Sequence, residues 1–161
     1  MDELDSAIVA ELQRDARQSN REIARKVGIA PSTCLERIRA LRRRNVIRGY
    51  HADVDPRALN RGVQALIAAQ VRPLSRDVIE RFLDSVSALP EVLSTFVLAG
   101  GDDSIIHVAV QDVDHLHAFL IDRLARRKEI VSFRTSVILS QSHKTEITPL
   151  DPPVHPGGRV R

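Results

Sequence analysis

The stretch that most restricts what this chain can become is Ser19 to Arg48, SNREIARKVGIAPSTCLERIRALRRRNVIR, where two helix patterns are joined by a tight turn. Ser19 is a favourable N-cap residue, and Glu22 stands three positions later, the spacing of a capping box. Ile23, Ala24 and Val27 then form one apolar stripe. Gly28 falls where the stripe ends, suited to leave a helix with positive φ, and Pro31 is placed to open a second helix. In that helix Cys34, Ile38 and Leu41 share one face, flanked by Leu35. The opposite face carries Ser32, Glu36, Arg39 and Arg43, with Thr33, Arg37, Arg42 and Arg44 at its margins. Ala24 is small enough to let the two helices cross closely, as a helix-turn-helix requires. An ordinary helical hairpin with a solvated face has the same spacing.

The arginines favour the first reading. Residues 37 to 48 hold six of them, Arg37, Arg39, Arg42, Arg43, Arg44 and Arg48, and no acid. Guanidiniums held so close repel one another unless an anion meets them, and a phosphate backbone does so while releasing counterions. The net charge of +3 is unevenly placed: eleven Lys and Arg face seven Asp and Glu up to Arg48, leaving thirteen against fourteen beyond. Basic character therefore belongs to the N-terminal third. With 43% apolar and 28% charged residues in 161, the composition is that of a soluble globular chain with one good core or two small ones. A single cysteine excludes an internal disulfide, and Cys34 on an apolar face reads as a small core residue. The N-terminus MDELDSAIVAELQRD is acidic and amphipathic, unlike a secretory signal, and no apolar run is long enough to span a bilayer, so a cytoplasmic protein with no membrane partner is expected.

Leu4, Ile8, Val9 and Leu12 have helical spacing, with Asp2 or Asp5 available as cap, and this first helix is expected to close the core of the pair, with Val46 and Ile47 tucked beneath. The first domain spans 1–48. A linker, 49–61, follows, in which Tyr50, Ala52 and Val54 alternate with polar residues up to Pro56; this predicts a short strand that needs a partner, such as another subunit.

From Val63 strands and helices alternate. Val63–Arg72 is a strand, and Ser75 caps a helix that buries Val78, Ile79, Phe82, Leu83 and Val86. Val92–Leu98 is a second strand, and the turn AGGDD leads to a third, Ser104–Gln111. Asp112 or Asp114 caps a helix with Leu116, Phe119, Leu120 and Leu124 inward, and Arg134–Ser140 is the last strand. The order βαββαβ over 62–147 is the ferredoxin-like split arrangement, making the chain α+β. Both helices must cover one sheet face while the strands are apolar on both, which predicts burial of the other face in a homodimer or larger assembly. The segment 148–161, rich in Pro and Gly, is expected to be a flexible tail.

A three-helix domain, a linker strand and a βαββαβ domain in this order resemble the Lrp/AsnC (feast/famine) family of transcription regulators. Residues 34–56, CLERIRALRRRNVIRGYHADVDP, look like that family's most recognisable run, and LDSAIVAELQRDAR is similar to its first helix. The resemblance spans residues 2–147. It implies a sequence-specific regulator that binds double-stranded promoter DNA as a homodimer or octamer. It also implies control by a small metabolite, commonly an amino acid, bound between dimers, with no cofactor.

Ser32, Thr33, Glu36 and Arg37 match the positions expected to meet base edges, Arg37 suiting a guanine and Glu36 a cytosine amine. Arg39, Arg42 and Arg43 match phosphate or groove-wall positions. Ala30 stands where relatives often carry a serine cap, a loss of order 1 kcal/mol. In the effector region the family's Gly-Asp-aromatic-Asp-Tyr hairpin is replaced by Gly100, Gly101, Asp102, Asp103 and Ser104, and a Thr-Arg-Thr run by Phe133, Arg134 and Thr135. A free amino acid needs an anion for its ammonium and donors for its carboxylate, which Asp103 and the Gly100–Gly101 amides offer. The same residues also suit a plain hairpin turn.

His107, His115 and His117 do not make a metal site by spacing, since His115 and His117 point in different directions on a helix. An enzyme on a small ferredoxin-like sheet is the competing class, but the sequence shows no nucleophile with a base at sensible spacing, no phosphate loop and no paired acids set in an apolar run. A metabolite sensor whose basic helix pair binds protein rather than DNA is the third reading.

Overall fold

The structure is a computed structural model that describes residues 1–150. It divides into two compact units, residues 1–52 with 142–150, and residues 53–141.

The first unit is built on three helices. α1 (Glu3–Arg14) is capped by Asp2, whose carboxylate accepts the Asp5 backbone N–H at 2.7 Å. α2 (Asn20–Val27) begins with the full capping box, Ser19 and Glu22 each accepting the other's backbone N–H. Gly28 ends it at φ +73°, the left-handed conformation that a Cβ disfavours. α3 (Pro31–Arg43) starts after Ala30, which offers no side-chain cap. Ile8, Ile23, Ala24, Cys34 and Leu41 form a fully buried core, with Val9, Leu12, Val27, Ile29, Ile38 and Ile47 packed around it. After α3, Asn45 takes a positive φ and the Val46 N–H returns to the Leu41 carbonyl at 2.9 Å, which turns Ile47 under the core.

The second unit carries β1 (Val63–Val71), α4 (Arg76–Ser87), β2 (Val92–Val97), β3 (Ser104–Val110), α5 (Val113–Phe119) and β4 (Ile130–Val137). Ser75 caps α4 and Asp112 caps α5. The strands pair antiparallel in the order β2-β3-β1-β4, the ferredoxin-like arrangement expected. Ala65, Ile67 and Val71 of β1 and Ile106, Val108 and Val110 of β3 face Phe82, Val86, Leu116, Phe119 and Leu124 of the helical layer. After Phe119 the helix widens to five-residue spacing, the Ala125 N–H reaching the Leu120 carbonyl at 2.8 Å, and this turns Leu124 into the core. The other sheet face has no helical cover: Leu66 and Phe96 are exposed, beside half-buried Ala68 and Ile105.

Two sequence expectations are corrected. Residues 49–55 form no strand; Asp55 instead caps a 3-10 turn, Pro56–Leu59, because a strand needs a ladder and the single chain offers none. β4 spans Ile130–Val137 rather than Arg134–Ser140. A register shift at Gln70/Val71 leaves Val131 unpaired, so Ile130 and Phe133, three apart, both pack on the core and the alternation is hidden. The expected tail, 148–161, follows a segment that has already left the sheet. Beyond Ile138, whose N–H meets the Gln64 carbonyl, the chain leaves the sheet. Ile147 is then held on α1, its N–H and carbonyl both bonded to the Gln13 side chain at 2.9 and 3.0 Å, beside an Arg14–Glu146 ion pair at 3.2 Å. Residues 151–161 of that expected tail lie outside the described residues.

Candidate nucleic-acid and effector sites

α3 is aimed by its neighbours. Its buried side, Cys34 and Leu41, is fixed by the helical core, and the Asn20 amide donates to the Pro31 carbonyl at 2.6 Å, tying the start of α2 to the first turn of α3. Burial pushes the Cys34 thiol pKa up, which makes it a core residue rather than a nucleophile. Ser32, Thr33, Glu36, Arg39, Arg42 and Arg43 are all exposed on the remaining surface. With no side-chain cap, the first N–H groups of α3 lie open beside Ser32 and Thr33.

Arg37 behaves differently from the rest. Its Nη1 donates to Asp2 at 2.6 Å and to Asp5 at 2.8 Å, and Arg44 reaches the other Asp5 oxygen at 3.4 Å. The Asp5 N–H and the Arg37 guanidinium hold the Asp2 carboxyl below the usual carboxylate range. The expected guanine reader is thus engaged within the chain, because residues 37 and 44, seven apart on α3, both face the acidic first turn of α1.

Arg39, Arg42, Arg43 and Arg48, with Asn45 and Ile47, line an open groove of about 460 Å³. Among the described residues none of these four arginines has an ion pair or hydrogen bond through its side chain. Arg48 lies beyond the helix, so helical phase alone missed it; the continuous charge run is the signal that includes it.

In the second unit the β2–β3 hairpin separates the expected effector residues. Asp103 is largely buried and committed: its Oδ2 accepts the Val71 N–H at 2.8 Å and pairs with Arg72 at 2.8 Å, while its own N–H meets the Ala69 carbonyl. Ser104 pairs in register with Ala69 and Thr135 with Ile67, which puts both on the helix-covered side of the sheet. The Ser104 hydroxyl is buried there without a hydrogen-bond partner among the described residues. Asp102 and Arg134 pair on the open face instead. They line a depression of about 320 Å³ with Ala68, Gln70, Gly101, Ser132 and Phe133. Gln70 donates to the Gly101 carbonyl at 3.0 Å and accepts from Ser132 at 3.1 Å. Gly100, at the hairpin tip, has open space where a side chain would stand. Gln70 and Ser132 were not singled out by sequence, and Arg134 only as the middle of the Phe133-Arg134-Thr135 run; the β1–β4 register, which sets Gln70 opposite Ser132 and Ala68 opposite Arg134, is what joins them to Asp102.

The histidines are engaged separately. His107 bonds Gln64 at 2.9 Å, and His115 lies 3.4 Å from Glu91. Burial lowers the His107 pKa. Among the described residues no group of three or more His, Cys, Asp or Glu is placed to hold a metal. No helix among them is long and apolar enough to cross a membrane.

Comparison with known proteins places both units. Residues 1–42 match the AsnC-type helix-turn-helix domain, and residues 64–147 match the Lrp/AsnC ligand binding domain. The HTH-type transcriptional regulator AldR of Mycolicibacterium smegmatis is 39% identical over 138 residues, covering 86% of this chain and 81% of that protein. The transcriptional regulator AzlB of Bacillus subtilis is 32% identical over 151 residues, covering 94% and 96%. A Neisseria meningitidis transcriptional regulator solved in complex with L-Met superposes with a TM-score of 0.84 at 32% identity, over 92% of this chain and 96% of that one. The chain therefore belongs to the Lrp/AsnC family and is a DNA-binding transcriptional regulator controlled by a small ligand.

Proposed function

We propose that this chain binds promoter DNA through α3 and is controlled by a free amino acid held on the open sheet face. The observation that carries the DNA half is the groove of four arginines, Arg39, Arg42, Arg43 and Arg48, unpaired among the described residues, beside the exposed residues Ser32, Thr33 and Glu36. Cations without an internal partner gain most from a phosphate, and the start of α3 is the end that enters a major groove. Asp102 and Arg134 are the opposite charges that an α-amino acid's ammonium and carboxylate need, and Gly101 lets a ligand approach the hairpin backbone. The ligand replaces the Asp102–Arg134 contact with two of its own. Amino-acid chemistry is supported by the relative solved with L-Met.

The exposed Leu66 and Phe96 face favours a homodimer, and dimers assembling further, up to an octamer, enclose the ligand depression. A regulator of this kind works in the cytoplasm and needs no catalytic group or cofactor. Sedimentation and thermal unfolding of the full chain, with each common amino acid added, test this reading. At least one amino acid is expected to raise the melting temperature and shift the oligomer distribution. No shift with any of them, in a chain that still binds DNA, contradicts the effector assignment.

A further inference from the structure

We infer that Arg37 is a positioning residue which locks α3 against α1, and that base discrimination on α3 rests on Glu36. The assignment rests on the DNA-binding reading above and concerns which side chain reads sequence.

Arg37 sits in a closed set of contacts. One Asp2 oxygen takes the Asp5 N–H and the other takes Arg37, while the two Asp5 oxygens take Arg37 and Arg44. Asp5 is only 7% exposed. An arginine reading guanine must turn its bidentate edge to the base. For Arg37 that means leaving a nearly buried carboxylate short of its closest cation, a strongly unfavourable exchange. The same contacts join the acidic first turn of α1 to the middle of α3, so Arg37 fixes the angle at which α3 is presented.

Glu36, one residue earlier, lies about 100° around the helix. It is exposed and has no ion pair or hydrogen bond among the described residues, although Arg39 and Arg43 stand three and seven positions further along the same face. A carboxylate among phosphates is repelled unless it meets a donor, and in the major groove the cytosine N4 amine is the donor it suits. Glu36 therefore favours a C·G pair at one position of each half-site and disfavours the other pairs.

The test selects bound duplexes from a randomised DNA library with the full chain, alongside thermal unfolding. The wild type is expected to enrich one C·G position by about tenfold or more. Glu36→Ala should lose that preference with an unchanged melting temperature. Arg37→Ala should lower the melting temperature and weaken selected and random duplexes by the same factor, leaving the enriched sequence unchanged. Asp5→Asn, which leaves α3 untouched, should reproduce the Arg37→Ala pattern and keeps the test available if Arg37→Ala does not fold. Arg37→Ala that changes a base preference at constant melting temperature, or Glu36→Ala that enriches the wild-type sequence, overturns the assignment. A wild type that binds duplexes without enriching any sequence overturns it as well, while one that binds no duplex removes the DNA-binding reading beneath it.

Discussion

α3 and the β2–β3 hairpin both crowd charged side chains into a short stretch, yet they distribute them in opposite ways. On α3 one acidic cluster, Asp2 and Asp5, withdraws Arg37 and Arg44, and four other arginines along a groove have no side-chain partner among the described residues. On the hairpin two consecutive aspartates part company: Asp103 is spent on Val71 and Arg72, and Asp102 faces outward to Arg134. A helix keeps residues of one phase together, so its functional face is continuous. A strand end sends neighbours to opposite sides, so adjacent residues take different duties.

The largest test of this contrast goes through the cores that hold each element. Leu41 is fully buried at the centre of the small helical core. Leu41→Ala should cost about 2–5 kcal/mol there. Calorimetry should then show the helical unit melting earlier while the sheet unit keeps its transition. A uniform shift of one transition would mean that the two units unfold as one.

The next test compares the two aspartates. Asp103→Asn removes charge from contacts to Val71 and Arg72 and should cost about 2 kcal/mol. Asp102→Asn touches a pair whose arginine is largely exposed and should cost under about 1 kcal/mol, yet abolish any thermal shift given by an amino acid. The opposite assignment of stability and ligand response to these variants would overturn the division of duties.

A smaller effect separates the units by pH. In the sheet unit, burial lowers the His107 pKa, so its contribution is complete above the unfolded value near pH 6.5 and is lost as pH falls through the depressed folded value. In the helical unit, hydrogen bonds and nearby cations hold Asp2, Glu11 and Glu22 low, through Asp5 and Arg37, Lys26, and Ser19 respectively. Their contribution is complete above about pH 4–5 and is lost only as pH falls through their depressed values. Acidification from neutral pH should weaken the sheet unit first, which unfolding followed by probes in each unit will resolve.

Much of this was legible in the sequence. Helical periodicity located the three N-terminal helices, and the caps at Ser19, Gly28, Pro31 and Ser75 lie where the residues place them. Strand order followed from the βαββαβ alternation. What escaped depends on contacts between distant residues. Asp2 and Asp5 were read as caps, and only the packing of α1 on α3 turns them toward Arg37, more than thirty positions away. The β1–β4 register, with its shift at Gln70/Val71, decides that Arg134 shares a face with Asp102 and that Thr135 does not. The Gln13–Ile147 contact spans 134 positions and carries no local pattern.

The central claim is that the groove-lining arginines of α3 and its C-terminal turn meet phosphate. Fluorescence anisotropy of a labelled duplex from the upstream promoter, titrated with the full chain across a salt series, tests it directly. The logarithm of affinity should fall linearly with the logarithm of salt concentration, by about 0.9 per phosphate neutralised. Arg39→Ala, Arg42→Ala, Arg43→Ala and Arg48→Ala should each flatten that slope by about one per copy of the chain engaged. A slope near zero in the wild type, or one that survives removal of all four arginines, would contradict the account.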